Sequence, residues 1–91
     1  MSDDAMDEPR RTIVITGVSR GLGAALLERF VEASHAVAGC ARSSGALETL
    51  AARHPGALLD TCDVADASAV ESFASSVVER LGAPDLLINN A

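Results

Sequence analysis

Ninety-one residues leave room for one domain at most, with a core near the lower limit of what folds alone. The apolar fraction is 48%, the aromatics are two phenylalanines, and seven arginines face thirteen acids for a formal charge of −6. That balance excludes a basic nucleic-acid groove or an anionic membrane surface as the main partner, and no apolar run is long enough to span a membrane. A small anion held locally is still compatible with it. Cys40 and Cys62 lack a CxxC or Cys/His cluster, so reduced core thiols are expected rather than a zinc site or a disulfide framework.

In chain order, residues 1–11 read as a disordered acidic tail carrying Asp3, Asp4, Asp7 and Glu8. A secretory signal would be basic and then apolar, so the expected location is cytoplasmic. "RTIVIT" (Arg11 to Thr16) is short and β-branched and meets Gly17 at once, which marks a buried strand. "LGAALLERFVEAS" then places Leu22, Ala25, Leu26, Phe30 and Val31 on one helical face. "HAVAGCAR" gives a second strand, and "SGALETLAARHPG" a second helix buried through Leu47, Leu50 and Ala51 and stopped by Pro55-Gly56.

"ALLDTCDV" (Ala57 to Val64) is a third strand. Asp66 caps a third helix with Val70, Phe73, Ala74, Val77, Val78 and Leu81 as its apolar stripe, ended by Gly82. "PDLLINNA" closes the series as a fourth strand. Unbroken β-α alternation implies a parallel sheet with both faces covered, and right-handed crossovers set the strand order 3-2-1-4. Residues 12–91 are thus expected to form one α/β doubly wound unit. Leu86, Leu87 and Ile88 would lie on an uncovered edge, which points to a fragment truncated after strand four.

Between the first strand and the first helix runs "TGVSRGLG", with Gly17, Gly21 and Gly23 inside seven positions. A helix N-terminus presents free N–H groups and a positive dipole end, which suits a phosphate. Gly17 permits a tight exit from the strand, Gly21 lets backbone approach a diphosphate, and Gly23 lets the helix pack on the sheet. Ser19 and Leu22 belong to the same loop, where a phosphate contact suits Ser19 better than a nucleophilic role. Three glycines can also make a plain tight turn, but the strand-loop-helix context favours a dinucleotide.

This loop resembles the TGxxxGxG turn of the short-chain dehydrogenase/reductase family. "CARS" after strand two, "CDV" after strand three and "NNA" after strand four support the resemblance. It spans Thr12 to Ala91 and corresponds to the coenzyme half of a Rossmann-type domain. The end of strand two carries no carboxylate to bind ribose hydroxyls and repel a 2′-phosphate. Arg42 there, followed by Ser43 and faced by Arg20 of the loop, favours NADP over NAD, unless both arginines are simply solvated. The resemblance implies that Asp63 contacts the adenine amino group beside Val64, with a helix-proximal cap as the alternative role. It also implies that the backbone of Asn90 and Ala91 meets the nicotinamide ribose, while Asn89 ties neighbouring strands.

In that family a tyrosine, its pKa lowered by a lysine, moves the proton while a hydride passes to or from the nicotinamide. The chain has neither tyrosine nor lysine. His35 and His54, in helix-to-strand connections, are expected on the surface, so no residue has a catalytic assignment. The resemblance implies an NADP-dependent oxidoreductase acting on a small carbonyl or alcohol, homo-oligomeric when complete, of which these residues alone are inactive. The alternative is a non-catalytic nucleotide-binding or regulatory module completed by a partner.

Overall fold

The computed structural model describes residues 10–90. Most of the acidic tail and Ala91 lie outside the described residues, and with them the expectation of a disordered terminus. Strands β1 (Thr12–Thr16), β2 (Ala36–Ala41), β3 (Leu58–Thr61) and β4 (Leu86–Asn89) alternate with helices α1 (Gly21–Glu32), α2 (Ser44–Arg53) and α3 (Ala67–Leu81). The sheet is parallel in the order β3-β2-β1-β4, as the crossover rule requires.

Side chains alternate across the sheet and feed two separate cores. Ile13, Ile15, Val37 and Ala41 point to the face of α1 and α2, where they meet Val18, Leu27, Leu47 and Leu50. Val14, Ala38 and Cys40 point to the face of α3, where they meet Cys62, Phe73 and Val77. Both cysteines are free and buried, as expected of core thiols.

The helix faces differ in part from the sequence expectation. Helix α1 buries Gly23 and Leu27, with Leu26, Phe30 and Val31 partly buried, whereas Leu22 is 65% exposed and Ala25 also faces solvent. The close approach of Gly23 to the sheet rotates the stripe onto the 23/27 line. Helix α3 buries only Phe73 and Val77 fully, and Val70, Ala74 and Val78 are exposed because nothing described covers the side of α3 next to β4. An apolar groove of about 420 Å³ remains there, bordered by Phe73, Val78 and Leu87.

The register of β4 on β1 is pinned at its start by a reciprocal clasp. The Thr12 N–H donates to Asp85 Oδ2 at 2.8 Å, and the Asp85 N–H donates to the Thr12 carbonyl at 2.8 Å. The Thr12 hydroxyl adds a bond to the Leu81 carbonyl at 3.2 Å. Helix α3 ends at Gly82, whose φ of 92° is one that residues with a side chain rarely adopt.

His54 is not the surface residue expected, whereas His35 is half-buried at the rim. The His54 side chain is only 11% exposed and sits 3.8 Å from Glu28 Oε2, which also takes Arg53 Nη2 at 3.0 Å. His35 Nδ1 accepts the Arg11 N–H at 3.0 Å while its ring meets Phe30 edge-on. Both lie at the amino-terminal end of the sheet and join elements there.

Candidate functional site

In an open parallel sheet the crevice beyond the carboxyl ends of the strands, where the strand order reverses, is the place for a ligand. In the order β3-β2-β1-β4 that point lies between β1 and β4. A cleft of about 390 Å³ opens there, lined among others by Gly17, Ser19, Arg20, Arg42, Asp63 and Asn90. Val64 also lines it. Gly21 and Leu22 are exposed in the first turn of α1, Gly23 is buried beneath them, and Ser43 is exposed ahead of α2.

The loop is held from below. The Gly17 and Val18 N–H groups both donate to the Cys40 carbonyl, at 2.9 and 3.1 Å, fastening the exit of β1 to the end of β2. Gly17 and Gly21 have φ of 73° and 63°, left-handed values at which a side chain would be strained. A Cβ on Gly21 would meet nothing within 4 Å, so glycine serves its backbone shape and leaves the approach open. At Gly23 the reason is packing, since a Cβ would collide with the Gly17 carbonyl oxygen and stand 2.7 Å from Asn90 Nδ2.

Sequence reasoning missed one supporting pair. Val18 is fully buried against Gly39, where an added Cβ would lie 2.8 Å from Val18 Cγ1. A glycine in the middle of the apolar strand "AVAGCA" was the available signal, because it marks a close approach. Val18 thereby anchors the middle of the loop in the α1/α2 core.

The far wall comes from the end of β4. The Thr16 hydroxyl donates to Asn89 Oδ1 at 2.8 Å and accepts the Asn90 N–H at 2.9 Å, while Asn90 Nδ2 donates to the Gly17 carbonyl at 3.1 Å. Asn89 therefore ties β4 to β1 as expected, and the Asn90 side chain is spent on the glycine loop.

The three helix N-termini differ in what satisfies them. Helix α3 carries its own anion: Asp66 Oδ1 accepts the N–H groups of Ser68 and Ala69 at 3.0 and 3.3 Å. Helices α1 and α2 have no side-chain cap and no acid in their first turns. Their free N–H groups leave a deficit that an external anion can fill. Arg20 stands at the N-cap of α1, and Arg42 directly precedes the N-cap residue of α2, so both uncapped ends carry a guanidinium beside them.

Asp63 is turned partly inward on its own loop. Its Oδ1 accepts the Ala65 N–H at 3.0 Å and its carbonyl accepts the Asp66 N–H at 2.9 Å, shaping the turn that leads into α3. Beneath it, burial pushes the Cys40 thiol up to about 11, with the adjacent Cys62 adding to the effect.

The short chain dehydrogenase family model matches residues 11–91. The chain belongs to that family. It is 45% identical over 84 residues to the NADPH-dependent pterin aldehyde reductase of Arabidopsis thaliana, a match covering 89% of this chain and 35% of that protein. A short-chain dehydrogenase of Streptomyces avermitilis superposes with a TM-score of 0.83 at 38% identity, over 94% of this chain and 32% of that one. An NADPH-bound short chain oxidoreductase of Pseudomonas aeruginosa PAO1, with an atypical catalytic centre, gives 0.78 at 40% identity, over 91% and 36%. The chain thus spans about a third of the length of the relatives it matches.

Proposed function

We propose that these residues form the coenzyme-binding part of an NADP(H)-dependent oxidoreductase that interconverts a small carbonyl compound and its alcohol. The observation that carries this reading is the uncapped N-terminus of α1 beneath a glycine loop, opening into a cleft flanked by Arg20 and Arg42. The N–H groups of the loop and first turn, with Ser19, hold the diphosphate, and Gly21, Leu22 and Gly23 supply backbone without obstruction. Arg42, Arg20 and Ser43 hold the 2′-phosphate. Asp63 and Val64 meet the adenine, and Asn90 with Ala91 meets the nicotinamide ribose through backbone. NADPH-bound and NADPH-dependent relatives support the choice of coenzyme.

The bound coenzyme supplies the hydride. Residues 1–91 contribute binding and orientation, and they contain neither the tyrosine nor the lysine with which the family moves the proton. On its own the chain is therefore inactive in hydride transfer, and the whole protein acts as a cytoplasmic homo-oligomer. The alternative is a non-catalytic dinucleotide-binding or regulatory module completed by a partner. Turnover of carbonyl compounds by the full-length protein separates the two.

The binding test is a fluorescence titration of NADPH and NADH. Each charge-assisted phosphate contact is worth about 1.5–3 kcal/mol, so Arg42→Asp should weaken NADPH about tenfold or more and spare NADH. An unchanged preference would refute the role of Arg42.

A further inference from the structure

Two groups near the cleft have no part in that reading: the thiols of Cys40 and Cys62. They lie on the same face of the sheet, and the Cys62 N–H donates to the Ala41 carbonyl at 2.9 Å, so β2 and β3 remain in register up to them. Cys62 stands near enough to Cys40 to add to the upward shift of its thiol. Both border the coenzyme cleft on one side and the apolar groove under α3 on the other. Helix α3 covers them through two fully buried residues, Phe73 and Val77, with Val70 and Val78 left exposed, so a modest lift of this helix uncovers both sulfurs. Low-cost local opening of this kind is what a thinly packed element allows.

We propose that Cys40 and Cys62 are a redox-active dithiol whose closure to an intrachain disulfide distorts the adenine end of the cleft and releases the coenzyme. The proposal rests on the coenzyme reading of that cleft. The oxidant is a hydroperoxide. One cysteine, as thiolate, attacks the peroxide oxygen, the O–O bond breaks, and hydroxide leaves to become water, giving a sulfenic acid. The other thiolate attacks that sulfur, the S–O bond breaks, hydroxide leaves again, and the S–S bond forms. In sum, two thiols lose two electrons and two protons, and one hydrogen peroxide becomes two waters.

The consequence follows from what each cysteine holds. The Cys40 carbonyl is the acceptor for both loop N–H groups, and Cys62 directly precedes Asp63. Drawing the two sulfurs into a bond moves the ends of β2 and β3, and with them the glycine loop, Arg42 and Asp63. A disulfide holds its Cα atoms within about 7 Å and its dihedral at about ±90°, constraints that two free thiols do not impose, so closure fixes the ends of β2 and β3 in a geometry of its own.

The test treats the chain with hydrogen peroxide, with and without NADPH, and follows both linkage and affinity. After tryptic cleavage, peptides 30–42 and 54–80 should appear joined, and dithiothreitol should separate them. NADPH should slow the joining, and the oxidised chain should bind NADPH at least tenfold more weakly than the reduced chain. Cys62→Ser and Cys62→Ala should each show the same affinity before and after peroxide. Closure should also quicken from pH 7 to 10, because burial holds the Cys40 thiol protonated. Sulfinic acid in place of joined peptides overturns the dithiol, and joined peptides with unchanged affinity overturn its control of the cleft. If the reduced chain fails to bind NADPH, the coenzyme reading falls and the control of binding with it, whereas the joined peptides still report the disulfide by themselves.

Discussion

The two faces of the sheet are built to different standards. On the α1/α2 face, Ile13, Ile15, Val18, Leu27 and Val37 are at most 1% exposed and interlock beneath the glycine loop. On the α3 face, Leu87 is 63% and Val78 55% exposed, and an apolar groove separates α3 from β4. The glycine loop is thus seated on the well-packed side, through Val18 against Gly39 and Gly23 against Gly17. The floor of the cleft, at Cys40 and Cys62, belongs to the loosely packed side. Rigidity is placed where backbone N–H groups must be aimed, and the open face is where the molecule can give.

The largest expected effect breaks this comparison directly. Leu27 is fully buried between α1 and the sheet, so Leu27→Ala should cost about 2–5 kcal/mol through lost burial and a residual cavity. Leu87→Ala, although it removes the same atoms, should change stability by no more than about 0.5 kcal/mol, because those atoms are already in water. Urea denaturation of both variants measures the pair. Similar costs would mean that the α3 face is packed in solution, contrary to the exposure described.

A second effect belongs to the α3 face alone. Burial pushes the folded Cys40 thiol up to about 11, from an ordinary value of about 9 that the unfolded chain keeps. Above the unfolded value the unfolded chain loses its proton first, so the folded state binds more protons and stability falls as pH rises. The contribution is whole below about pH 9 and is lost between about 9 and 11, amounting to at most about 3 kcal/mol. Denaturation midpoints taken from pH 7 to 10.5 should decline, and Cys40→Ala should flatten the decline. An equal slope in the variant would assign it to other groups.

The sequence made the strands and the topology legible for a physical reason. Alternating strands and helices of ordinary length admit few right-handed parallel arrangements, and the order β3-β2-β1-β4 is one of them. The glycine loop was legible because its residues answer local demands, namely the positive φ of Gly17 and Gly21 and the close contact of Gly23. Helical stripes were less so. Periodicity assigned Leu22 to the apolar face of α1 and missed Leu27, since 22/26 and 23/27 differ by one position and only the contact at Gly23 chooses between them. In α3 the stripe was traced through Val70 and Val78, yet what a helix buries depends on what is packed against it. His54 was misplaced likewise, because its burial comes from Glu28 of α1, 26 positions away in the chain.

The smallest effect sharpens the comparison at the helix N-termini. Asp66 supplies two acceptor contacts to α3, so Asp66→Ala should destabilise the chain by about 1 kcal/mol, within a range of about 0.5–2. Ser43 occupies the equivalent place before α2 but makes no capping bond, so Ser43→Ala should leave stability unchanged within about 0.5 kcal/mol. Affinity for NADPH should respond the other way round, falling with Ser43→Ala and holding with Asp66→Ala. An uncapped N-terminus beside an arginine is costly to the fold and useful to a ligand, whereas a capped one is already satisfied. A crossed pattern of stability and affinity would separate helix ends that serve the fold from those held open for the coenzyme, and parallel losses in both variants would erase that division.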